Sequence, residues 1–428
     1  MRIQGNMSLP EILSNMLTRQ KGRAACFSIT LFLCASFLFI CNLNLYTSPH
    51  RHAIAMVKKY GVIFGLVLGL AYLLPAFARG SFSSHVPWRK VLIYFSLIAG
   101  LLVALLLQRP HVTSYGINFA QLTSNYWSAD YTGERSILLK RVAMPALAHL
   151  CGFSERTYFY FWFLIYLVAL WLAVRWLMGK GLTFLECLSL LTSSIFAYEL
   201  IIPGYTEVLI LALTLYCLQK STGFLEKMVI FTLAMATHEI AASFIFISVI
   251  IGSPKRDREE WFLIFPCIVL IDLFVTFISQ VLQHGARPGE TMIVGGLLPY
   301  QYILQHPLNM LLGVFIAYKL YWLVVIRAWG LSSQRILAGA VLLSLPLIFL
   351  GIDTSRLIQF SSLGLFMLVP NVISKWSSQT RTFLALANLG IPSIYFGSMG
   401  APVWGGGFYS IYLKVLQSLG FQHCGIIG

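Results

Sequence analysis

Apolar residues run along this chain in long blocks, separated by short polar stretches that collect Lys, Arg, Gly and Pro. The blocks fall near 26–46, 61–78, 91–107, 156–177, 182–201, 205–219, 225–236, 239–252, 261–282, 308–327, 335–352, 356–374 and 380–398. A helix perpendicular to a bilayer needs about 20 predominantly apolar residues, and several blocks are shorter than that. The pattern predicts an all-α chain: a polytopic transmembrane helical bundle of about 11–13 spans. The expected organisation is N-terminal spans over 1–107, an outer loop with an interfacial helix over 108–155, the main bundle over 156–398 and a short tail over 399–428. Together these would form one integral membrane domain. No internal repeat or low-complexity tract interrupts them. The polar lead before the first block is long and no small-residue cleavage site follows that block, unlike a cleaved signal peptide.

One stretch breaks the pattern. In "LAMATHEIAASFIFISVII", 233–251, His238 and Glu239 stand side by side in an apolar run. Each ionisable group at mid-bilayer costs at least about 2.5 kcal/mol. The distribution of Lys and Arg explains the placement. With Arg2, Arg19, Lys21 and Arg23 in the cytoplasm, alternate loops carry Arg79, Arg89 and Lys90; Arg175 and Lys180; Lys220 and Lys227; Lys255, Arg256 and Arg258; Arg327 and Arg335; Lys375 and Arg381. All of these then fall inside, as cytoplasmic loops prefer. The scheme holds only if 225–252 is two short helices. One continuous helix would put "SPKRDREE", 253–260, outside and invert every later loop. His238 and Glu239 are therefore expected at a turn between half-length helices, facing the outer side. Irregular backbone at membrane depth is tolerated only where protein or water covers it, so the turn implies a wet cavity.

Composition agrees with a membrane chain. The sequence is 58% hydrophobic and 11% charged, with mean hydropathy +0.78, against about 25% charge in a soluble domain. The net charge of +15 is scattered between apolar blocks with no aromatic-basic stripe, which argues for membrane orientation and against a nucleic-acid partner. The eight cysteines lie mostly inside blocks, at no metal-ligand spacing, and read as small apolar core residues. Only Cys151 and Cys424 could meet as a disulfide outside the cytoplasm.

The same topology gathers acids on the outer side: Asp130, Glu134, Glu155, Glu199, Glu207, Glu239, Glu290 and Asp353. Asp130 and Glu134 lie in the loop "NYWSADYTGERSILLKRVAMPALAHLCGF", 125–153, four residues apart, and on a helix would share a face. They are either ordinary solvated charge, or a base or ligand for a divalent cation such as magnesium or manganese. After them Ile137, Leu138, Val142, Leu147 and Leu150 alternate with Lys140 and Arg141 in a pattern suited to a helix lying in the interface. Pro145 would kink or start it. Glu207, in "IIPGYTEVLIL", either compensates a helix N-terminus or serves a site; Glu199 is the weaker neighbour. His238 and Glu239 either fix helix packing or act as acid/base, phosphate contact or metal ligand. "HE" is not a zinc motif here, because position 242 is Ala. Asp353 and Arg356, in "GIDTSRLIQF", are either a local ion pair with Asp353 or Thr354 as helix cap, or an arginine awaiting phosphate or carboxylate. Arg287 and Glu290, in "HGARPGETMIVGG", sit in a Gly-rich loop that could cover a site. Asp272, inside a block, reads as a packed polar contact, and Lys319 lies within the 308–327 block.

These residues come from distant parts of the chain, and each falls at an outer helix end or turn. A pocket just inside the outer face would gather carboxylates, an imidazole and arginines beside lipid, which suits a lipid-linked phosphate substrate.

With "SADYTGER" and "LLKRVAMPALAHL" as a loop acid followed by an interfacial helix, "ATHEIAASF" as paired short helices, and "GYTE" and "DTSR" as acid-bearing turns, residues 100–375 resemble the C-type membrane glycosyltransferases. That resemblance implies a polyprenyl-phosphate-linked sugar donor and a glycan, lipid or protein acceptor, used at the outer face of what would be a bacterial inner membrane. It implies Asp130 as base or as ligand of a magnesium or manganese ion, with Glu134 beside it. It implies His238, Glu239 and Arg356 as donor contacts, with Glu207, Asp353 and Arg287 lining the pocket. The chain departs from the pattern in placing its acidic loop after the third block, in lacking a tandem acid pair and in ending on a short Gly-aromatic tail. A polymerase or ligase of lipid-linked glycans, and a transporter or flippase of a lipid-linked or anionic substrate, fit the same residues.

Overall fold

The computed structural model describes residues 114–125, 141–220, 222–253, 255–282, 303–349, 354–391 and 393. All lie in the second of two units into which the chain divides, Gln108–Gly428. The apolar blocks at 26–46, 61–78 and 91–107 fall outside the described residues. The described elements are all helical, with no strand among them. They are α1 (Ser114–Asn125), α2 (Ala143–Leu150), α3 (Tyr158–Gly179), α4 (Phe184–Leu191), α5 (Ile195–Ile201), α6 (Glu207–Gln219), α7 (Phe224–Met235), α8 (Glu239–Gly252), α9 (Lys255–Leu282), α10 (Pro307–Tyr318), α11 (Tyr321–Trp329), α12 (Arg335–Leu342), a 3₁₀ turn (Leu345–Phe349), α13 (Thr354–Gln359), α14 (Ser362–Ile373) and α15 (Ser378–Gly390).

Helix α3 is long and apolar enough to cross a membrane. Two bent pairs satisfy the same criterion when each is taken together: α4 with α5, bent by 59°, and α10 with α11, bent by 87°. Shorter apolar helices fill the interior, including α6, α8 and α14. Helix α6 packs on α3 and α8, and α14 on α8, α11 and α12. A column of rings, Trp162 on Tyr166 and Tyr166 against Phe196, joins α3 to α5, and Phe196 stacks on Phe366 of α14.

The break expected in 225–252 is present. Helix α7 ends at Met235 and α8 begins at Glu239, with His238 as the cap between them. Its Nδ1 accepts from the Ala241 N–H at 3.3 Å, supplying one of the acceptors a helix start lacks. Helix α4 opens on a capping box, Thr183 with Glu186.

Several blocks read as continuous are interrupted. In 182–201 the run Thr192-Ser193-Ser194 separates α4 from α5. Thr192 Oγ1 and Ser193 Oγ donate to Ser189 O, and Ser194 Oγ donates to Leu191 O. These hydroxyls give the backbone an alternative to the helical ladder. In 308–327 the break falls at Lys319, so this lysine caps a helix instead of lying inside a span. The 356–374 block divides as well, at Phe360–Ser361, between α13 and α14. In the polar 108–155 stretch, α1 is a helix that the block pattern does not predict. Helix α2 carries Pro145 in its first turn, where a ring costs no intrahelical bond. It buries Ala143, Met144, Pro145 and Ala148 and leaves Leu150 exposed.

Candidate functional site

Four of the residues singled out in the sequence come together at the start of α6. Glu207, in its first turn, is wholly buried. Its Oε1 accepts from Nη2 of Arg356, a partner 149 positions along the chain on α13. His238 Nε2 stands 3.7 Å from the same oxygen. Because His238 Nδ1 is occupied as an acceptor, the ring proton is assigned to Nε2, on the Glu207 side. Glu239, one residue on, is held by Arg141: Nε donates to Oε2 at 3.2 Å and Nη2 to Oε1 at 2.9 Å. That fork-to-fork pairing fixes direction as well as charge.

The local chain explains why these groups meet. The turn before α6 closes on Gly204, whose φ of 99° is one that side-chain-bearing residues rarely adopt. A Cβ there would stand 2.7 Å from the Phe159 ring. Helix α3 pins this turn: Tyr158 OH donates to Gly204 O and Trp162 Nε1 to Tyr205 O, at 3.1 and 2.8 Å. Thr206 Oγ1 donates to Thr237 O, tying the turn to the α7–α8 break. The Ala143 N–H donates to Ala236 O, bringing the start of α2, and with it Arg141, to the same break.

Arg356 lies in an aromatic box. Its guanidinium carbon is 4.1 Å from the ring centre of Tyr205, 5.5 Å from that of Tyr198 and 5.7 Å from that of Phe360. Desolvated cation–π contacts of this kind are worth about 2 kcal/mol or more. The His238 ring meets the Phe360 ring edge-on at 5.5 Å.

Beside this pair lies Glu199, on α5, wholly buried and within electrostatic reach of Glu207 and Arg356. Neither of its carboxyl oxygens has a hydrogen-bond partner, nor has Glu207 Oε2. The one N–H of the neighbouring Trp162 indole is already given to Tyr205 O. Three carboxyl groups thus share two arginines and an imidazole. Buried acceptors left without donors are costly, so the cluster is under-satisfied and ready to accept a donor.

Glu207, His238, Glu239 and Arg356 are therefore brought together. Arg356 faces the chain's own Glu207 carboxylate, a pairing that the sequence reading did not name. Asp130, Glu134, Arg287, Glu290 and Asp353 lie outside the described residues. Three participants carried little weight in the sequence: Arg141, read as the polar face of an interfacial helix; Glu199, read as a minor neighbour; and the box formed by Tyr198, Tyr205 and Phe360. The dense "YELIIPGYTE" stretch, two acids and two tyrosines around a Pro-Gly turn, was the signal for Tyr198, Glu199 and Tyr205, whereas Arg141 and Phe360 had none. Among the described residues, no three His, Cys, Asp or Glu side chains stand close enough to hold a metal ion.

The chain matches no family model, no curated protein and no solved structure.

Proposed function

We propose that this chain is a polytopic membrane glycosyltransferase that takes a sugar from a polyprenyl-phosphate-linked donor at the outer face of the membrane. The observation that carries the reading is the convergence of Arg141, Glu207, His238, Glu239 and Arg356 at one group of helix ends. Arg141, eleven positions after Asp130 in the sequence, supports the reading by pairing with Glu239 in this cluster. The groups suit a lipid phosphate: an arginine steadied by rings, already paired with an oxyanion, beside an imidazole N–H.

In the mechanism, Asp130, with Glu134 beside it, takes the proton of an acceptor hydroxyl. The hydroxyl oxygen attacks the anomeric carbon. The bond from that carbon to the lipid phosphate breaks, and the phosphate leaves with the electron pair. Arg356 exchanges the Glu207 carboxylate for the phosphate oxygens and stabilises the charge that develops there. Arg287 and Asp353 complete the pocket.

The test is transfer by the purified full chain, given a polyprenyl-phosphate sugar and an acceptor, with Asp130→Asn and Arg356→Gln alongside the wild type. Loss of product in both supports the reading, and unchanged turnover in Asp130→Asn overturns the assignment of the base. A transporter or flippase is the second reading, favoured by the two bent helix pairs, since broken helices build substrate sites in transporters. Movement of a lipid-linked or anionic substrate across proteoliposomes without a covalent product would select it.

A further inference from the structure

The two bent helix pairs meet at their breaks. Asn388 of α15 joins them: its Oδ1 accepts from the Leu320 N–H, and its Nδ2 donates to Ser189 O, Ser189 Oγ and Ser193 Oγ. Tyr321 OH donates to Ser189 Oγ across the same crossing. In the middle lies Lys319, 1% exposed. Its Nζ donates to Ser393 Oγ at 2.9 Å, and Ser393 Oγ donates to Thr192 O at 2.5 Å.

This ammonium differs from the other buried cations. Lys227 has two carboxylates and Arg356 has one, whereas no described acid lies within ion-pair distance of Lys319. Two half-helices end beside it, and Ser393 links the ammonium to the Thr192 carbonyl at one of them. Helix α10 ends at Tyr318, with Lys319 as its cap, and α4 ends at Leu191, with Thr192 as its cap. Helix C-termini carry the negative ends of their dipoles and favour cations. A cavity with room for about one water lies alongside, with Thr192, Ser355, Gln359 and Ser393 on one part of its wall and Ala197, Tyr198, Ile201 and Ile316 on the rest, and Gln359 Oε1 has no hydrogen-bond partner. The backbone is also bent to place the lysine there: Lys319 has φ 50°, ψ −127°, a region that L-residues enter only under strain.

We propose that the crossing of the two broken helices is a monovalent-cation site that the chain fills with its own ammonium, Lys319. Broken helices whose carbonyl ends converge bind exchangeable cations in other membrane folds. Here the cation is covalently attached, so the crossing is held closed without an ion from solution.

The test is thermal unfolding of the full chain in detergent, in the chlorides of sodium, methylammonium and N-methylglucamine at equal ionic strength. Wild type unfolds at one temperature in all three. Lys319→Gly removes both the ammonium and the backbone strain. It unfolds lower in N-methylglucamine and recovers by several degrees in methylammonium or sodium, which fit the vacated space. Lys319→Met fills that space without charge, so it is destabilised and shows no response to the cation. Equal behaviour of Lys319→Gly in all three salts, folded or unfolded, overturns the proposal. So does Lys319→Met as stable as wild type, because a simple buried-charge penalty would then account for the position.

Discussion

Helix α6, about 20 Å long, has ions at both ends, under opposite conditions. Beyond its C-terminus, Lys227 Nζ donates to Asp257 Oδ1 and Glu260 Oε2 at 2.8 and 2.6 Å. Those acids are about a quarter exposed, at 26% and 27%. Water and a complete set of partners share the charge. Nearby, the Lys220–Glu226 pair stands in open solvent. At the N-terminus, Glu207 and Glu199 are wholly buried, and three of their carboxyl oxygens have no donor. Removing charge from water costs several kcal/mol per ion, and a pair regains it only with good geometry and full hydrogen bonding. The first end is arranged as a stable surface network would be. The second keeps charge where an apolar core would be more stable, and such places are candidates for binding and chemistry.

The contrast can be broken by mutation. Arg356→Ala has the largest expected effect, about 3–5 kcal/mol of lost stability, because Glu207 is left as an uncompensated buried charge. Pairing it with Glu207→Gln restores a substantial part, and a double variant no better than the single one would refute the pairing. Lys227→Ala follows at about 1.5–3 kcal/mol, the worth of hydrogen bonds to charged groups, because its two acids can turn to water. Its thermal unfolding should respond less than that of Arg356→Ala, and the reverse order would erase the distinction between the two ends. Gly204→Ala costs about 1–3 kcal/mol of backbone strain and moves the turn that presents Glu207, so an unchanged unfolding temperature would show that the turn can relax. Arg141→Ala costs about 1–3 kcal/mol, because Glu239, only 20% exposed, loses both of its donors. Its effect is local: hydrogen exchange should rise over 141–150 and stay unchanged in α9. Lys220→Ala, on a fully exposed side chain, should leave the unfolding temperature where it is.

Some of this was readable in order along the chain. Hydrophobic periodicity located the helices of the unit, and Lys and Arg bookkeeping located the break before Glu239, because both properties belong to single residues and their near neighbours. Thr192-Ser193-Ser194 and Lys319 gave no comparable warning. Neither break has a Pro or Gly at it, and what supports each lies far away: Ser362 Oγ accepts from the Ile195 N–H, and Asn388 accepts from the Leu320 N–H.

The sequence by itself determined that these residues are helical, where most of their helices lie and that the 225–252 run breaks before Glu239. Only the tertiary structure decided that Glu207, in the first turn of α6, takes Arg356, that Glu239 takes Arg141, and that Glu199 lies buried beside them. The physical reason is distance along the chain. A helix is specified by contacts three or four residues apart, whereas these pairings join residues 149 and 98 positions apart, and only the packing of α3, α6, α8 and α13 brings them within reach.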